Sequence, residues 1–240
     1  MSWLSRIFGG ARRDEETMAE ALAAWNAGQP GVALDLWAPL AHRGNARAQS
    51  NMGAAFLEGR GVERDPAKAV EWLRRAAEQG DVGGQRNLAL CCYEGWGVAQ
   101  DQEEAARWYE KAAGQGDADA QDMLSWMKLV GGGCAQDYAA ARLWAEKAAA
   151  QGRAGAMARL GDIHHDALGV ARDPVEAARW WSRAAELGHP EAQAMLGAAY
   201  LAGKGVPRDR AQALHWLERA EAAGAGELAA GFLRLAREKA

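Results

Sequence analysis

Three absences narrow the class of protein before any motif is considered. The 240-residue sequence has no uninterrupted apolar run of about 18 residues, so it predicts no membrane-spanning helix. Its formal net charge of −4 leaves no excess of positive charge to attract nucleic acid. Its three cysteines, Cys91, Cys92 and Cys134, do not form an even, regular disulfide framework. We therefore expect a cytoplasmic protein with reduced thiols and no nucleic-acid partner.

The first residues also lack the pattern of a secretory signal. There is no basic n-region, and Arg6 interrupts a very short apolar patch. The apolar side chains between Trp3 and Phe8 could form one stripe of a short helix that contacts a membrane surface. Because Gly9 and Gly10 end this stripe within about two turns, a loosely packed, non-repeat segment over 1–13 is favoured.

Most of the remaining chain consists of copies of one segment. Residues 46–81 recur at a spacing of 36 residues, and the further copies are 82–117, 118–153, 154–189 and 190–225. Four columns barely change: Gln49, Gln85, Gln121 and Gln193; Gly61, Gly97, Gly133, Gly169 and Gly205; Asp65, Asp101, Asp137, Asp173 and Asp209; and Trp72, Trp108, Trp144, Trp180 and Trp216. A period of this size is typical of a solenoid.

Each copy predicts two helices. In the first copy, apolar residues between Ala48 and Phe56 recur at helical spacing and predict the first helix, called helix A. Gly59 ends helix A, and Asp65 followed by Pro66 marks the start of the second helix, helix B. The recurring tryptophans fall on the packing face of helix B, so we expect them to pack between helices rather than to bind a ligand.

The flanking segments look like worn repeats. Residues 14–45 predict a degenerate opening repeat, whose second helix Pro39 should kink or shorten in its first turns. Residues 226–240 predict a capping helix, in which Leu228, Phe232 and Leu235 cover the end of the last repeat.

The pattern A-x-A-Q-x-x-L-G-x-x-Y, followed by G-x-G-V, D, A-x-x-W and A-A-x-x-G, resembles the Sel1-like repeat, a relative of the tetratricopeptide repeat. The resemblance covers about residues 14–240. It implies an all-α fold, a right-handed superhelical solenoid of antiparallel helix pairs whose A helices line a concave groove. It further implies a non-catalytic scaffold or adaptor that binds a peptide or helix of a partner protein.

Repeats three and four depart from this pattern. The departures put the regularity of the superhelix in doubt between residues 125 and 170, or mark a binding site. They are Ser125 in place of glycine, Lys128 and His164 at the aromatic position, Met157 in place of glutamine, and Ala167 in place of the first loop glycine.

The resemblance also places the groove, at positions offset from the core residues of helix A. The predicted partner-binding residues are Asn51, Arg86, Asn87, Tyr93, Asp122, Met123, Trp126, Arg159, Asp162 and His165, to which the fifth repeat adds Glu191 and Met195. Asn51, Asn87 and Arg159 share one repeat position, where tetratricopeptide domains often place Asn or Arg to hold a peptide backbone or carboxylate.

The chemistry of these positions indicates the partner. Tyr93, Met123 and Trp126 supply apolar anchors of the kind that dominate binding energy. Trp126 has no aromatic equivalent in the other repeats. Since Asp and Glu outnumber Arg at the groove positions, the bound segment is expected to be neutral to basic.

No arrangement of residues predicts catalysis, a metal or a cofactor. The glycine-rich turns lack Walker spacing, and the adjacent His164 and His165 diverge by about 100 degrees on a helix, so they do not easily share an ion. Two alternatives to the scaffold remain open. One is a membrane-proximal scaffold anchored through residues 1–13. The other is an enzyme of the β-lactamase-like Sel1-repeat branch, which the absence of regular cysteine pairs and of a nucleophile–base pair argues against.

Overall fold

The computed structural model describes residues 3–238, with side chains from residue 13 onward. All regular structure in this range is α-helical, as predicted. The helices are α1 Trp3–Asn26, α2 Pro30–His42, α3 Ala46–Glu58, α4 Pro66–Glu78, α5 Val82–Glu94, α6 Gln102–Gly114, α7 Ala118–Val130, α8 Tyr138–Ala150, α9 Ala154–Asp166, α10 Pro174–Glu186, α11 Pro190–Ala202, α12 Arg210–Ala222 and α13 Gly226–Glu238. No helix in the described range is both long and apolar enough to cross a membrane.

The chain divides into two compact units. Unit 1 comprises Met1–Asp117 and unit 2 comprises Ala118–Ala240. The division coincides with the end of the second repeat copy, and each unit is described separately below. Within each unit, consecutive helices pack against each other.

Each repeat is an antiparallel helix pair joined by a loop that one aspartate organises. In repeat one, the Asp65 carboxylate accepts the backbone N–H of Lys68 at 3.0 Å and so caps α4. The backbone N–H of Asp65 donates to Phe56 O, near the end of α3, at 3.0 Å. The same backbone bond recurs from Asp101 to Cys92, Asp137 to Lys128, Asp173 to His164 and Asp209 to Tyr200. The predicted cap is therefore confirmed, and the residue also holds helix B to helix A.

Paired helices approach closely at one crossing position, where the sizes of the two facing residues are matched. A Cβ added at Gly53 would lie 2.5 Å from Leu73 Cγ. In repeat four, a Cβ at Gly161 would overlap the indole of Trp181. In repeat three, Ser125 replaces the glycine, is fully buried and donates its hydroxyl to Ala141 O at 2.8 Å. The serine thus satisfies its own polar group while filling the crossing.

Repeats three and four keep their local geometry despite their departures. Helices α7 to α10 each span 13 residues, the same length as the helices of the other repeats. Ala167 adopts the left-handed conformation that glycine has elsewhere, with φ of 59°. A left-handed conformation costs a residue with a Cβ about 1 kcal/mol. The departures in sequence therefore do not change the lengths of the helices in repeats three and four.

The repeated glutamines form buried bonds between neighbouring helices. Gln49 Nε2 donates to Ala41 O at 3.0 Å, and Gln49 Oε1 accepts from Gln79 Nε2 at 2.7 Å. The same pair recurs as Gln115 with Gln85 and Gln151 with Gln121. In repeat four, Met157 and Leu187 replace both partners together. Replacing both members of a buried polar pair avoids leaving either one unsatisfied.

Three of the repeated tryptophans, Trp72, Trp180 and Trp216, pack on clusters that include residues of the preceding repeat, as predicted. Trp180, for example, packs against a cluster of α8 and α9 residues that includes Ala145 and Leu160. Each of the repeated indoles also carries the cation three residues later over its ring, at 3.9–4.9 Å: Arg75 on Trp72, Lys111 on Trp108, Lys147 on Trp144, Arg183 on Trp180 and Arg219 on Trp216. The cations cover indole surface that packing leaves exposed.

Both ends of the chain differ from expectation. Helix α1 passes through Gly9 and Gly10 into the opening repeat, because glycine weakens a helix by only about 1 kcal/mol and does not forbid it. The boundary expected at residue 13 therefore falls inside α1. Helix α2 begins at Pro30, so Pro39 does not shorten its first turns.

The capping helix α13 buries a different face from the predicted one. Ala229, Leu233 and Ala236 are buried against α11 and α12 residues. Phe232 packs at the edge of this face, but Leu228 and Leu235 are 40% and 47% exposed. The expectation that both leucines cover the last repeat is wrong, since the buried set at i, i+4 and i+7 is offset from them by about one residue.

The glutamine pairs yield a stability prediction in repeat five. Among the described residues, the buried Gln193 Oε1 has no hydrogen-bond partner, because the position equivalent to Gln79 is Ala223. Ala223 is exposed and has the backbone conformation of Gln79, with φ of −85° and −82° respectively. We expect Ala223→Gln to raise the free energy of unfolding by about 0.5–1 kcal/mol in urea denaturation.

The matched control for this prediction is Ala222→Gln, one residue earlier at the end of α12. It adds the same side chain at an exposed position without a buried acceptor to reach. Equal effects of the two substitutions would contradict the assigned pairing.

Candidate functional site

Helices of unit 2 form an open groove of about 590 Å³, which we call the unit-2 groove. Five predicted binding residues lie in its lining, namely Trp126, Arg159, Asp162, Glu191 and Met195. The other lining residues are Leu129, Gly155, Ala158, Trp181, His189, Ala192 and Leu228. They come from α7, α9, α10, α11, α13 and the turn before α11. The groove is large enough to take a few side chains of a bound segment.

Arg159 is held by an ion pair between neighbouring A helices. Its Nη1 lies 2.5 Å from Asp122 Oδ1, and the two side chains are only 15% and 23% exposed. Asp122 belongs to α7 and Arg159 to α9. This pair joins two predicted site residues, and it means that the Arg159 guanidinium already has a carboxylate partner within the protein. A partner's carboxylate would therefore have to compete with Asp122 for it.

Asp162 is positioned by Trp181. The Trp181 Nε1–H donates to Asp162 Oδ1 at 3.0 Å. Trp181 is 3% exposed, and its indole lies against α9 where Gly161 carries no side chain. Burial raises the pKa of the Asp162 carboxyl above its ordinary value, although the Trp181 hydrogen bond and the charge of Arg159 act in the opposite direction. The groove thus contains a partly desolvated carboxylate.

His165 lies in an adjoining pocket of about 240 Å³. Its Nδ1 is 2.7 Å from Asp166 Oδ1, and its ring centroid is 5.3 Å from that of Trp181. Trp181 and Met195 line both this pocket and the unit-2 groove. The two cavities are therefore neighbours that share one indole.

The remaining predicted site residue of unit 2 does not line the groove. Met123 is half-buried and is not among the residues that line the unit-2 groove or the adjoining pocket. Its expected role as an apolar anchor stays a prediction.

The four predicted site residues of unit 1 occupy separate environments. Asn51 lines a small pocket of about 110 Å³ together with Trp25 and Trp37. Arg86 pairs with Asp117 at 2.9 Å, and its Nε lies 3.4 Å from Asn87 Oδ1. Tyr93 is half-buried on α5. Arg86 and Asn87 are thus already engaged with residues of their own unit.

Sequence reasoning missed Trp181 as a groove residue. It follows Trp180 in the chain, and the tryptophan column that the sequence assigns to packing includes Trp180 but not Trp181. Its signal is the variation of its own column, which reads Leu73, Tyr109, Ala145, Trp181 and Leu217 along the repeats. Trp181 is the largest residue of this column, and it faces Gly161; together these two features distinguish the position. Leu228 was also missed, because it was assigned to the cap.

The two adjacent cysteines are poor candidates for a nucleophile. Cys91 and Cys92 are fully buried on α5. Burial raises the pKa of Cys91 to about 12 and that of Cys92 to about 11. Both thiols therefore stay protonated at neutral pH and act as small apolar residues.

The environment of Asp162 predicts a dependence of stability on pH. Because its pKa is raised in the folded state, the folded chain holds this proton more tightly than the unfolded chain, and ionisation costs stability as pH rises. Asp162→Asn keeps an acceptor for Trp181 and removes the charge. We expect it to raise the free energy of unfolding at pH 7, with a difference from the wild type that vanishes below the ordinary pKa of 3.8.

Denaturant unfolding across this pH range measures the difference. The control is Asp166→Asn, whose carboxylate is 56% exposed and should contribute far less. A less stable Asp162→Asn variant at pH 7 would contradict the assigned burial penalty.

Comparison with known proteins places the fold in a family. The model of the Sel1 repeat matches residues 46–81, 82–117, 118–152, 154–189 and 190–224. No curated protein matches the sequence. Among solved structures, a Sel1 repeat protein from Oxalobacter formigenes is 31% identical, with a TM-score of 0.79 over 86% of this chain and 85% of that one.

Two further structures extend the comparison. The protective antigen c5321 of uropathogenic Escherichia coli, which displays an SLR fold, is 28% identical with a TM-score of 0.81 over 93% of this chain. The present chain spans 49% of that protein's length. The immunity protein Pa5087 of Pseudomonas aeruginosa is 17% identical, with a TM-score of 0.51 over 89% of this chain and 83% of that one, and is similar in fold alone. With five copies of the repeat matched over most of its length, the chain belongs to the Sel1 repeat family.

Proposed function

We propose that this chain is a non-catalytic scaffold that binds a segment of a partner protein in the unit-2 groove. Sel1 repeat proteins are generally scaffolds for protein–protein interaction. The observation that carries the proposal for this chain is the convergence of Trp126, Trp181, Arg159 and Asp162 on one open groove. Tryptophan and arginine are among the side chains that most often dominate binding energy at an interface.

The groove supports the proposal in a second way. Its polar groups are positioned before any partner arrives, since Asp122 holds Arg159 and Trp181 holds Asp162. Pre-positioned side chains lose less conformational entropy on binding than free ones. Apolar lining from Leu129, Met195 and Leu228 adds area that a bound segment would cover.

The unit-1 residues Asn51, Arg86, Asn87 and Tyr93 are proposed as a further contact surface. Within this surface Arg86 is paired with Asp117, and Asn87 lies beside it.

Trp126 is the residue that tests the proposal. We expect Trp126→Ala to weaken binding by about 2 kcal/mol, equivalent to about 30-fold in Kd, because it removes the half-buried indole from the groove lining. Capture from the native lysate with wild type and variant, read by mass spectrometry, identifies the partner that depends on this residue. Isothermal titration with the purified partner then measures the loss.

The matched control is Trp96→Ala, which removes an indole that is 38% exposed on the α5–α6 loop. Circular dichroism and thermal unfolding should show both variants folded. Equal affinity of wild type and Trp126→Ala for every captured protein would overturn the site assignment.

A further inference from the structure

The charges of the unit-2 groove do not balance. Three carboxylates, those of Asp122, Asp162 and Glu191, lie at or beside the groove with one guanidinium, that of Arg159. Arg159 is matched by Asp122 at 2.5 Å, which leaves the charges of Asp162 and Glu191. The groove therefore presents negative charge to whatever enters it.

The neighbouring histidine does not neutralise Glu191 through its near nitrogen. His189 Nδ1 lies 3.4 Å from Glu191 Oε2, but the same nitrogen accepts the backbone N–H of Ala192 as the cap of α11. A nitrogen that accepts a hydrogen bond has no proton to donate to the carboxylate.

Asp162 is bound by a neutral donor. Trp181 Nε1–H satisfies one of its oxygens without cancelling its charge. Among the side chains of residues 13–238, no Lys or Arg forms an ion pair with Asp162. Burial raises its pKa although Trp181, Arg159 and His165 act in the opposite direction, so the charge of the carboxylate is only partly compensated in the free protein. An incoming cation would supply it.

The groove also has the apolar surface that a long cationic side chain needs. Leu129, Met195 and Leu228 line it beside the indole of Trp126. The aliphatic part of a lysine or arginine packs on such surface while its charged end reaches a carboxylate. Elsewhere in this chain, Lys111 and Lys147 lie 3.9 and 4.0 Å from the ring centroids of Trp108 and Trp144, which shows how closely a lysine approaches an indole.

We infer that the unit-2 groove accepts a lysine or arginine side chain from a basic segment of the partner, with its charged group on Asp162 and its stem along Trp126 and the apolar lining. The inference rests on the proposed function and specifies the partner's chemistry. Asp162 acts as the specificity-determining residue, and Trp181 positions it.

Three acetylated and amidated peptides test the inference against the full chain. They share the sequence Gly-Leu-X-Leu-Gly, where X is lysine, norleucine or glutamate. Norleucine keeps the stem of lysine and lacks its ammonium group. Binding is followed by NMR through the indole N–H signals of Trp126 and Trp181, each assigned by comparison with its own Trp→Phe variant.

We expect the lysine peptide to bind about tenfold more tightly than the norleucine peptide, and the glutamate peptide to bind most weakly. Asp162→Asn should reduce the affinity of the lysine peptide to that of the norleucine peptide, because it removes the charge and keeps the acceptor for Trp181. Asp166→Asn removes an equal charge from the same helix outside the unit-2 groove, and should leave the preference for lysine intact.

Several results would overturn the inference. They are equal binding of the lysine and norleucine peptides, equal effects of the two aspartate substitutions, or no shift of either indole signal with any peptide. The proposed function fails separately. A captured partner lost by Trp126→Ala and retained by Asp162→Asn would refute the cation site alone, whereas a partner retained by Trp126→Ala would refute the groove itself.

Discussion

The close approach of paired helices at one crossing position is the constraint on which the rest of each repeat depends. Helix A can lie against helix B only where the two facing side chains share a fixed space, as Gly53 does with Leu73. Interiors pack at nearly uniform density, so a larger residue on one helix requires a smaller one on the other. Gly161 with Trp181 is the most unequal pair described, and it is also the one that builds the site.

That pair links packing to binding. Without a side chain at Gly161, the Trp181 indole lies against α9, and its N–H meets the carboxylate of the next residue, Asp162. Trp181 therefore occupies a core position of its repeat and also lines the unit-2 groove. Retaining an ionised Asp162 there costs stability, as its raised pKa indicates. Groups held in an unfavourable state at a concave surface are frequently the ones that bind.

Much of the fold was predictable because its determinants are local or repeated. Capping by Asp65 and its equivalents follows from a short side chain and the free N–H groups at a helix start. The packing of the tryptophan column follows from its period. The face of α13 was predicted wrongly, because Leu228, Leu233 and Leu235 are equally apolar in sequence and only the neighbouring helices select among them.

The residues that line the groove were predicted only in part. Trp126 stood out because no other repeat has an aromatic residue at its position, whereas Arg159 and Asp162 were predicted from the family resemblance, which places them at groove positions. Trp181 was not predicted, since it adjoins a tryptophan of the invariant column. The ion pair between Arg159 and Asp122 was also not predicted, because the two residues are 37 positions apart in the sequence.

The helices, loops and caps of each repeat depend on residues within one 36-residue copy, so they follow from the sequence, as do the period and the family. Which variable side chains meet depends instead on how the helices pack. The pairing of Arg159 with Asp122 and the hydrogen bond from Trp181 to Asp162 depend on distances between helices, and so does the unsatisfied Oε1 of Gln193. Those distances follow from the packing of whole side chains at the crossings, which no single copy of the repeat specifies.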